Sequence, residues 1–364
     1  MSSSADGAKE HPLRHATKVA AVIAAAALGL AACGSDTPAA TPGAGNTGTG
    51  GAPAAEQLKV GMAYDVGGRG DQSFNDAAAA GLDKAKAELN LDSKEAVAQN
   101  GEAESAREER LQQLIDAGYT NIVAVGFAYA QSVAKVAGEN PDVKFALIDS
   151  TDAKGDNIEN VTFAEHEGSF LVGAAAALKT KTNVIGFVGG VETPLIKKFE
   201  AGYIAGAKAV KSDIDIKVQY LTQPPDFSGF GDVAKGKAAA EGMYQANADI
   251  VYHAAGGSGG GVFQAAKAAN KLAIGVDADQ ALTADAAVRD VILTSMIKKV
   301  DVGVYDFIKS IADDKFTAGE KSFDLEAGGV DYSTTGGKID DIKAQLDDYK
   351  QKIISGEITV PTTP

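Results

Sequence analysis

The sequence predicts an α/β protein of two lobes, each a parallel sheet flanked by helices. Three observations carry this. Short, nearly continuous Val/Ile/Leu runs alternate with segments of helical spacing from Leu58 onward, the mark of strands buried on both faces between helices. The alternation restarts near residue 165, giving two similar blocks. The chain has 364 residues, and at about 150 residues per domain that length suits two domains better than one.

In the first block, strands are expected at 58–64, 96–99, 121–125 and 144–148, with helices at 74–89, 104–117 and 128–137. Gly118 stops the second helix; Gly138, with Pro141 just beyond, ends the third. In the second block, helices are expected at 168–179, 194–210, 232–246 and 261–269, with strands at 183–188, 216–221, 249–253, 272–276 and 291–297. Pro194 stands in a first turn, where the missing N–H costs nothing. A helix over 300–312 is placed to return to the first block, 328–337 reads as loop or hairpin, and 340–354 is a final helix. The lobes are therefore expected at 58–165 with about 299–320, and at about 166–298 with about 321–364.

The N-terminus is of another kind. Residues 1–18 are polar and carry Lys9, Arg14 and Lys18, and 19–30 is an uncharged run of twelve residues. A spanning helix needs about 20 apolar residues, so this run fits the core of a secretory signal instead. Leu30-Ala31-Ala32-Cys33-Gly34 follows at once. Small residues before a cysteine resemble a bacterial lipobox, and Cys33 is the one cysteine in the chain. Residues 1–32 are thus expected to be a signal peptide and Cys33 a lipidated anchor. Residues 33–57 read as a tether: Gly, Pro, Ala, Thr and Ser bury too little surface to offset their ordering entropy.

Composition narrows function. The net charge is −15, and removal of residues 1–32 leaves −16. Such a surface repels phosphate backbones and argues against nucleic acid as a partner. One Cys permits no internal disulfide, and four His with one Cys argue against a His/Cys zinc site. Gly231, Gly236 and Lys237 imitate a phosphate loop, but Ala238 replaces the hydroxyl that holds magnesium and no strand precedes. The run 256–261 lacks G-x-G-x-x-G spacing, and Arg69-Gly70-Asp71 reads as a chance tripeptide. His166 and His253 read as structural or rim residues. No cofactor is expected.

In open parallel sheets, ligands sit beyond the carboxyl ends of the strands. After the first strand stand Asp65, Gly67 and Gly68, and then Ser73, Phe74 and Asn75 open a helix. A carboxylate can accept from hydroxyls, a phenyl ring can stack, and an amide can pair with a heterocycle edge. The bland alternative is a loop in which Asp71 or Ser73 caps the helix.

This order resembles the basic membrane protein family, lipoproteins that serve as nucleoside-binding components of ABC transporters. Further similar segments follow in order: Gly126-Phe127, the strand 144–148 ending at Asp149, Glu167-Gly168-Ser169-Phe170-Leu171-Val172-Gly173, the helix 231–240, the turn 256–261, Gly275-Val276-Asp277-Ala278-Asp279-Gln280, and Leu293-Thr294-Ser295-Met296-Ile297-Lys298. The resemblance spans about residues 58–320. It implies a type I periplasmic-binding-protein-like clamshell that captures a nucleoside, purine first, and hands it to an ABC permease and ATPase. Phe74 and Phe230 match the stacking aromatics, with Phe227 an alternative to the latter. Asn75 matches the base-reading amide, Asp65 and Asp277 the ribose-binding carboxylates, and Lys298 the ribose-binding lysine. A glycine of the 256–261 turn, taken as Gly257, offers backbone contact. Where many members carry a base-reading acid, Gln131 or Ala130 stands. The expected protein is a monomer, held on the outer face of the cell membrane by lipid on Cys33. Two alternatives remain: the same fold with a sugar or other small solute, and a surface nucleoside hydrolase.

Overall fold

The structure, a computed structural model, describes residues 57–364. The signal, Cys33 and nearly all of the tether lie outside the described residues. In chain order the elements are β1 (Leu58–Tyr64), α1 (Phe74–Glu88), β2 (Leu91–Val97), α2 (Glu104–Asp116), β3 (Asn121–Val125), α3 (Ala130–Glu139), β4 (Lys144–Ile148), β5 (Ile158–Phe163), α4 (Glu165–Lys179), β6 (Val184–Val191), α5 (Pro194–Val210), β7 (Asp215–Thr222), α6 (Val233–Gln245), β8 (Ile250–Ala254), α7 (Gly259–Ala269), β9 (Leu272–Asp277), α8 (Gln280–Thr283), β10 (Ile292–Lys298), α9 (Val300–Ala312), β11 (Gly319–Phe323), β12 (Val330–Tyr332) and α10 (Lys343–Ile354).

They form two six-stranded sheets, ordered β11-β5-β4-β3-β1-β2 and β12-β10-β9-β8-β6-β7. The first five strands of each lobe are ordered identically, so β4 and β9 are structural equivalents. The sixth differs: β11 joins β5 in parallel, whereas β12 joins β10 antiparallel. Central strands are apolar and fully covered, as in Ile122, Val123, Phe145 and Leu147 of the first sheet and Ile274 of the second. Burial on that scale is the main stabilising term.

Several segments differ from expectation, and four of them show why. β2 starts at Leu91, not at 96; it is an edge strand whose burial alternates, so its polar residues hide the run. β11, at the other edge, buries only Phe323 of Gly319–Phe323 and carries no apolar signal. β5 was not expected because Glu159 and Asn160 interrupt its apolar residues, yet both are buried. The Asn160 amide donates from Nδ2 to the Ala153 carbonyl at 2.8 Å. α3 begins two residues late because a 3-10 turn, Phe127–Tyr129, precedes it.

The chain passes between sheets at Ala164, at Lys299, and between β11 and β12. The last passage follows Phe323, beyond the expected point near 320, because all of β11 pairs with β5. Neighbouring passages are bonded: Ala164 N–H to Phe323 O at 2.9 Å and Lys299 N–H to Gly329 O at 2.8 Å. In the second lobe α4 and α5 meet at backbone distance. A Cβ on Gly173 would lie 2.2 Å from Tyr203 O, and one on Gly206 1.9 Å from Phe170 O. The glycine of the 167–173 motif is thus a packing requirement.

Candidate functional site

One cleft gathers the carboxyl ends of both sheets. The first lobe contributes Asp65, Asp71, Phe74, Asn75, Gly126, Phe127 and Asp149; the second contributes Phe199, Phe230, Gly256, Asp277 and Lys298, with apolar wall from Leu195, Ile196 and Val276. Six of the eight residues singled out in the sequence therefore line it: Asp65, Phe74, Asn75, Phe230, Asp277 and Lys298.

Gln131 and Gly257 do not. Gln131 is exposed on α3, because the turn at 127–129 gives the cleft to Phe127 instead. Gly256 replaces Gly257, which lies under Asp71: a Cβ on Gly257 would stand 3.7 Å from the Cβ of Asp71. Phe227 takes a different place from Phe230. It reaches across to Phe127 edge-to-face, with ring centroids 6.0 Å apart, and the Arg107 guanidinium lies 5.8 Å from its ring.

The β1–α1 loop is held rigidly. The Asp71 carboxylate accepts from the N–H groups of Ser73, Asn75 and Asp76 and from Asn75 Nδ2, at 2.8–3.0 Å. It therefore does the capping of α1, and Ser73 Oγ donates instead to Asp277 across the cleft. The Asn75 amide is also committed: Oδ1 accepts the Asp65 N–H at 3.1 Å while Nδ2 meets Asp71. It anchors the Asp65 backbone and the Asp71 carboxylate, a structural task added to the expected recognition of a ring edge. Arg69 ties the loop tip to Asp83 and Glu95 at 2.8 and 2.6 Å. Both charged side chains of the Arg69-Gly70-Asp71 tripeptide are thus committed within the fold, Arg69 to ion pairs and Asp71 to the cap of α1.

Charge in the cleft is unbalanced toward acid. Burial pushes the Asp65 carboxyl up to about 6 against the pull of the Val66 N–H and Arg107. Burial likewise raises Asp277 to about 6, opposed by Lys298 and Ser73. Asp149 also moves upward, from burial first, opposed by Lys298. The Lys298 ammonium lies 2.6 Å from Asp149 and 3.1 Å from Glu165. Burial disfavours its charge, but Asp149, Glu165 and Asp277 outweigh this and hold its pKa up. The rings of Phe74, Phe163 and Phe199 surround it at 5.1–5.5 Å.

Asp149 is the principal residue the sequence reading left out. It follows β4 with φ 69°, and Asp277 ends the equivalent β9 with φ 65°. Aligning the two sequence blocks against each other would have exposed this pair. His253 is fully buried, and burial lowers its pKa to about 4; it lies outside the cleft lining. Among the described residues no group of three or more His, Cys, Asp or Glu could hold a metal ion.

Two lobes closing on a cleft at the strand ends define a solute-binding protein. The family model described as Bmp, ABC transporter substrate-binding protein PnrA-like, matches residues 58–364. The chain belongs to that family, whose members bind substrates for ABC transporters and are not enzymes. The ABC transporter nucleoside-binding protein BmpA of Lactococcus lactis is 35% identical, over 94% of this chain and 98% of its own. A CD4+ T-cell-stimulating antigen of Listeria innocua is 36% identical over 94% and 97%. Among solved structures, an ABC transporter solute-binding protein from Aeropyrum pernix matches with TM-score 0.74 and 31% identity, covering 84% of this chain and 93% of that one.

Proposed function

We propose that this protein captures a nucleoside, purine first, in the interlobe cleft and delivers it to an ABC permease and its ATPase. One observation carries the reading: Phe74 and Phe230 enter the cleft from opposite lobes, beside four aspartates and a single lysine. Aromatic faces suit a flat ring, and their stacking contributes about 0.5–1.5 kcal/mol beyond area burial. Asp65 and Asp277 accept from ribose hydroxyls and Lys298 donates to them, each charged bond contributing roughly 1.5–3 kcal/mol. Asn75 and the Gly256 backbone face the same solute. The acidic lining disfavours phosphorylated nucleotides, because Lys298 is already shared by Asp149 and Glu165. The name of the Lactococcus relative supports the nucleoside assignment.

The chain works as a monomer held to the outer face of the membrane by lipid on Cys33, with 33–57 as leash. The reading is tested by a thermal-shift panel of nucleosides, bases, nucleotides, sugars and amino acids. A ligand at a hundredfold excess over Kd adds about 2.7 kcal/mol. Stabilisation by nucleosides, lost in Phe74→Ala, supports it. Stabilisation by sugars or amino acids alone overturns the nucleoside assignment and leaves the receptor intact.

A further inference from the structure

Gln280 opens the short helix α8 and is almost wholly buried, at 2% exposure. Three bonds fix it inside the second lobe. Its N–H donates to Ser295 Oγ at 3.1 Å, and its Oε1 accepts the Val276 N–H at 2.9 Å. The same Oε1 lies 3.1 Å from His253 Nε2. Since His253 is kept neutral by burial, it carries one ring proton, and that proton belongs on Nε2 facing an oxygen that can only accept. Two donors on Oε1 decide which way the amide is turned. The remaining group, Nε2, points out of its own lobe and donates to the Gln72 carbonyl of the first lobe at 2.9 Å.

The receiving side is also built. Gln72 has φ 55°, a left-handed backbone uncommon for a residue with a side chain. Its N–H is held by Asp76 Oδ2 at 2.9 Å. That conformation displays its carbonyl to the other lobe just before Ser73, Phe74 and Asn75. Beside it, Ser73 bonds to Asp277, so two cross-lobe bonds hold the start of α1.

We infer that Gln280 is the closing latch of the cleft, a positioning residue that fixes the 72–75 segment of the first lobe against the second, with His253 setting the orientation of its amide. The inference rests on the two-lobed receptor and is independent of which solute fills it. It assigns a purpose to a histidine that the binding chemistry does not use.

The test is hydrogen–deuterium exchange on the full chain, wild type against Gln280→Glu. This variant keeps oxygen acceptors for Val276 and His253, replaces the donor facing Gln72 and adds a carboxylate charge. Without added solute, peptides covering 69–76 should exchange several-fold faster, while those of β8 and β9 keep wild-type protection. A role confined to the second lobe gives the reverse, faster exchange over 272–283 with 69–76 unchanged, and overturns the inference. If melting shows that Gln280→Glu does not fold, Gln280→Met supplies the comparison without a charge. Repeating the exchange with inosine separates the two readings. No protection of wild type by inosine counts against the nucleoside assignment alone, because the solute-free comparison still decides the latch. Where inosine does bind, its dissociation should be several-fold faster from the variant, with association little changed.

Discussion

Asp149 and Lys298 stand on different lobes, 149 residues apart in sequence, yet Oδ2 and Nζ are 2.6 Å from each other. Lys298 flanks one passage between the lobes, and its second partner, Glu165, flanks another. The lobes therefore meet here through a buried cation and a buried anion, a sensitive arrangement. Removing one partner of such a pair typically costs about 3–5 kcal/mol, because the other charge is left uncompensated. Lys298→Met should lose stability on that scale at pH 8 and recover part of it at pH 5, where Asp149 and Asp277 take up protons. Urea denaturation at both pH values measures this; equal losses would show that the carboxylates are not what the lysine compensates.

The aspartates also set the pH dependence of the wild type. Asp65 and Asp277 titrate near 6 in the folded protein and near 3.9 in an unfolded chain. Between these values the folded state binds more protons, so stability rises as pH falls from about 7 toward 5. Glu95 acts the other way. Burial would raise it, but Arg69, Tyr64 and Lys86 hold it down at about 2, so its contribution is present above about 4.3 and is lost below. The solute-free protein should be most stable near pH 5. Nucleoside affinity should fall over the window in which stability rises, because protonated Asp65 and Asp277 are poorer acceptors. Melting and titration calorimetry across pH 5–8 read both trends, and parallel trends would refute the assignment of acceptors.

Much of this site was legible because strand ends are marked by apolar runs that stop at a polar residue. Asp65, Asp277 and Lys298 each sit at such a boundary, and Phe74 and Asn75 open the next helix. What stayed hidden depends on edges and on symmetry. β2 and β11 are edge strands, polar and largely uncovered, so neither shows the apolar run that marks a central strand. Asp149 gains its meaning only from the equivalence of β4 and β9. Gln131 lies just past the 3-10 turn Phe127–Tyr129, which leaves Phe127 in the cleft and Gln131 exposed on α3, and nothing in the sequence marks that turn. The capping by Asp71 could not be preferred over capping by Ser73 until Ser73 was seen to bond across the cleft.

The two aromatics of the 227–230 segment should separate kinetically. Phe230 lines the cleft, whereas Phe227 rests on Phe127 and Arg107 at the contact between lobes. Phe230→Ala should weaken nucleoside binding about tenfold and reduce the preference for aromatic rings. Phe227→Ala should leave that preference unchanged and mainly speed release, since it removes an interlobe contact of about 0.5–1.5 kcal/mol. Stopped-flow fluorescence of binding and release distinguishes them; the same rate profile for both would place Phe227 in the ligand contact as well.

Gly126 tests how closely the first carboxylate is seated. It has φ 106° and ψ 145°, a region left almost entirely to glycine, and other residues are strained there by about 1–3 kcal/mol. A Cβ at this position would also lie 2.5 Å from Asp65 Oδ2. Gly126→Ala should therefore lower stability and displace the Asp65 carboxylate, weakening solute binding about tenfold or more. Gly70→Ala is the control, with φ 101° but nothing within 4 Å of the added methyl. It should show the strain in its melting temperature while keeping near wild-type affinity, because the binding carboxylates are untouched. Melting and calorimetry on both variants read the difference. If the two lose affinity equally, backbone strain in the cleft loops controls binding, and the close seat of Asp65 against Gly126 does not.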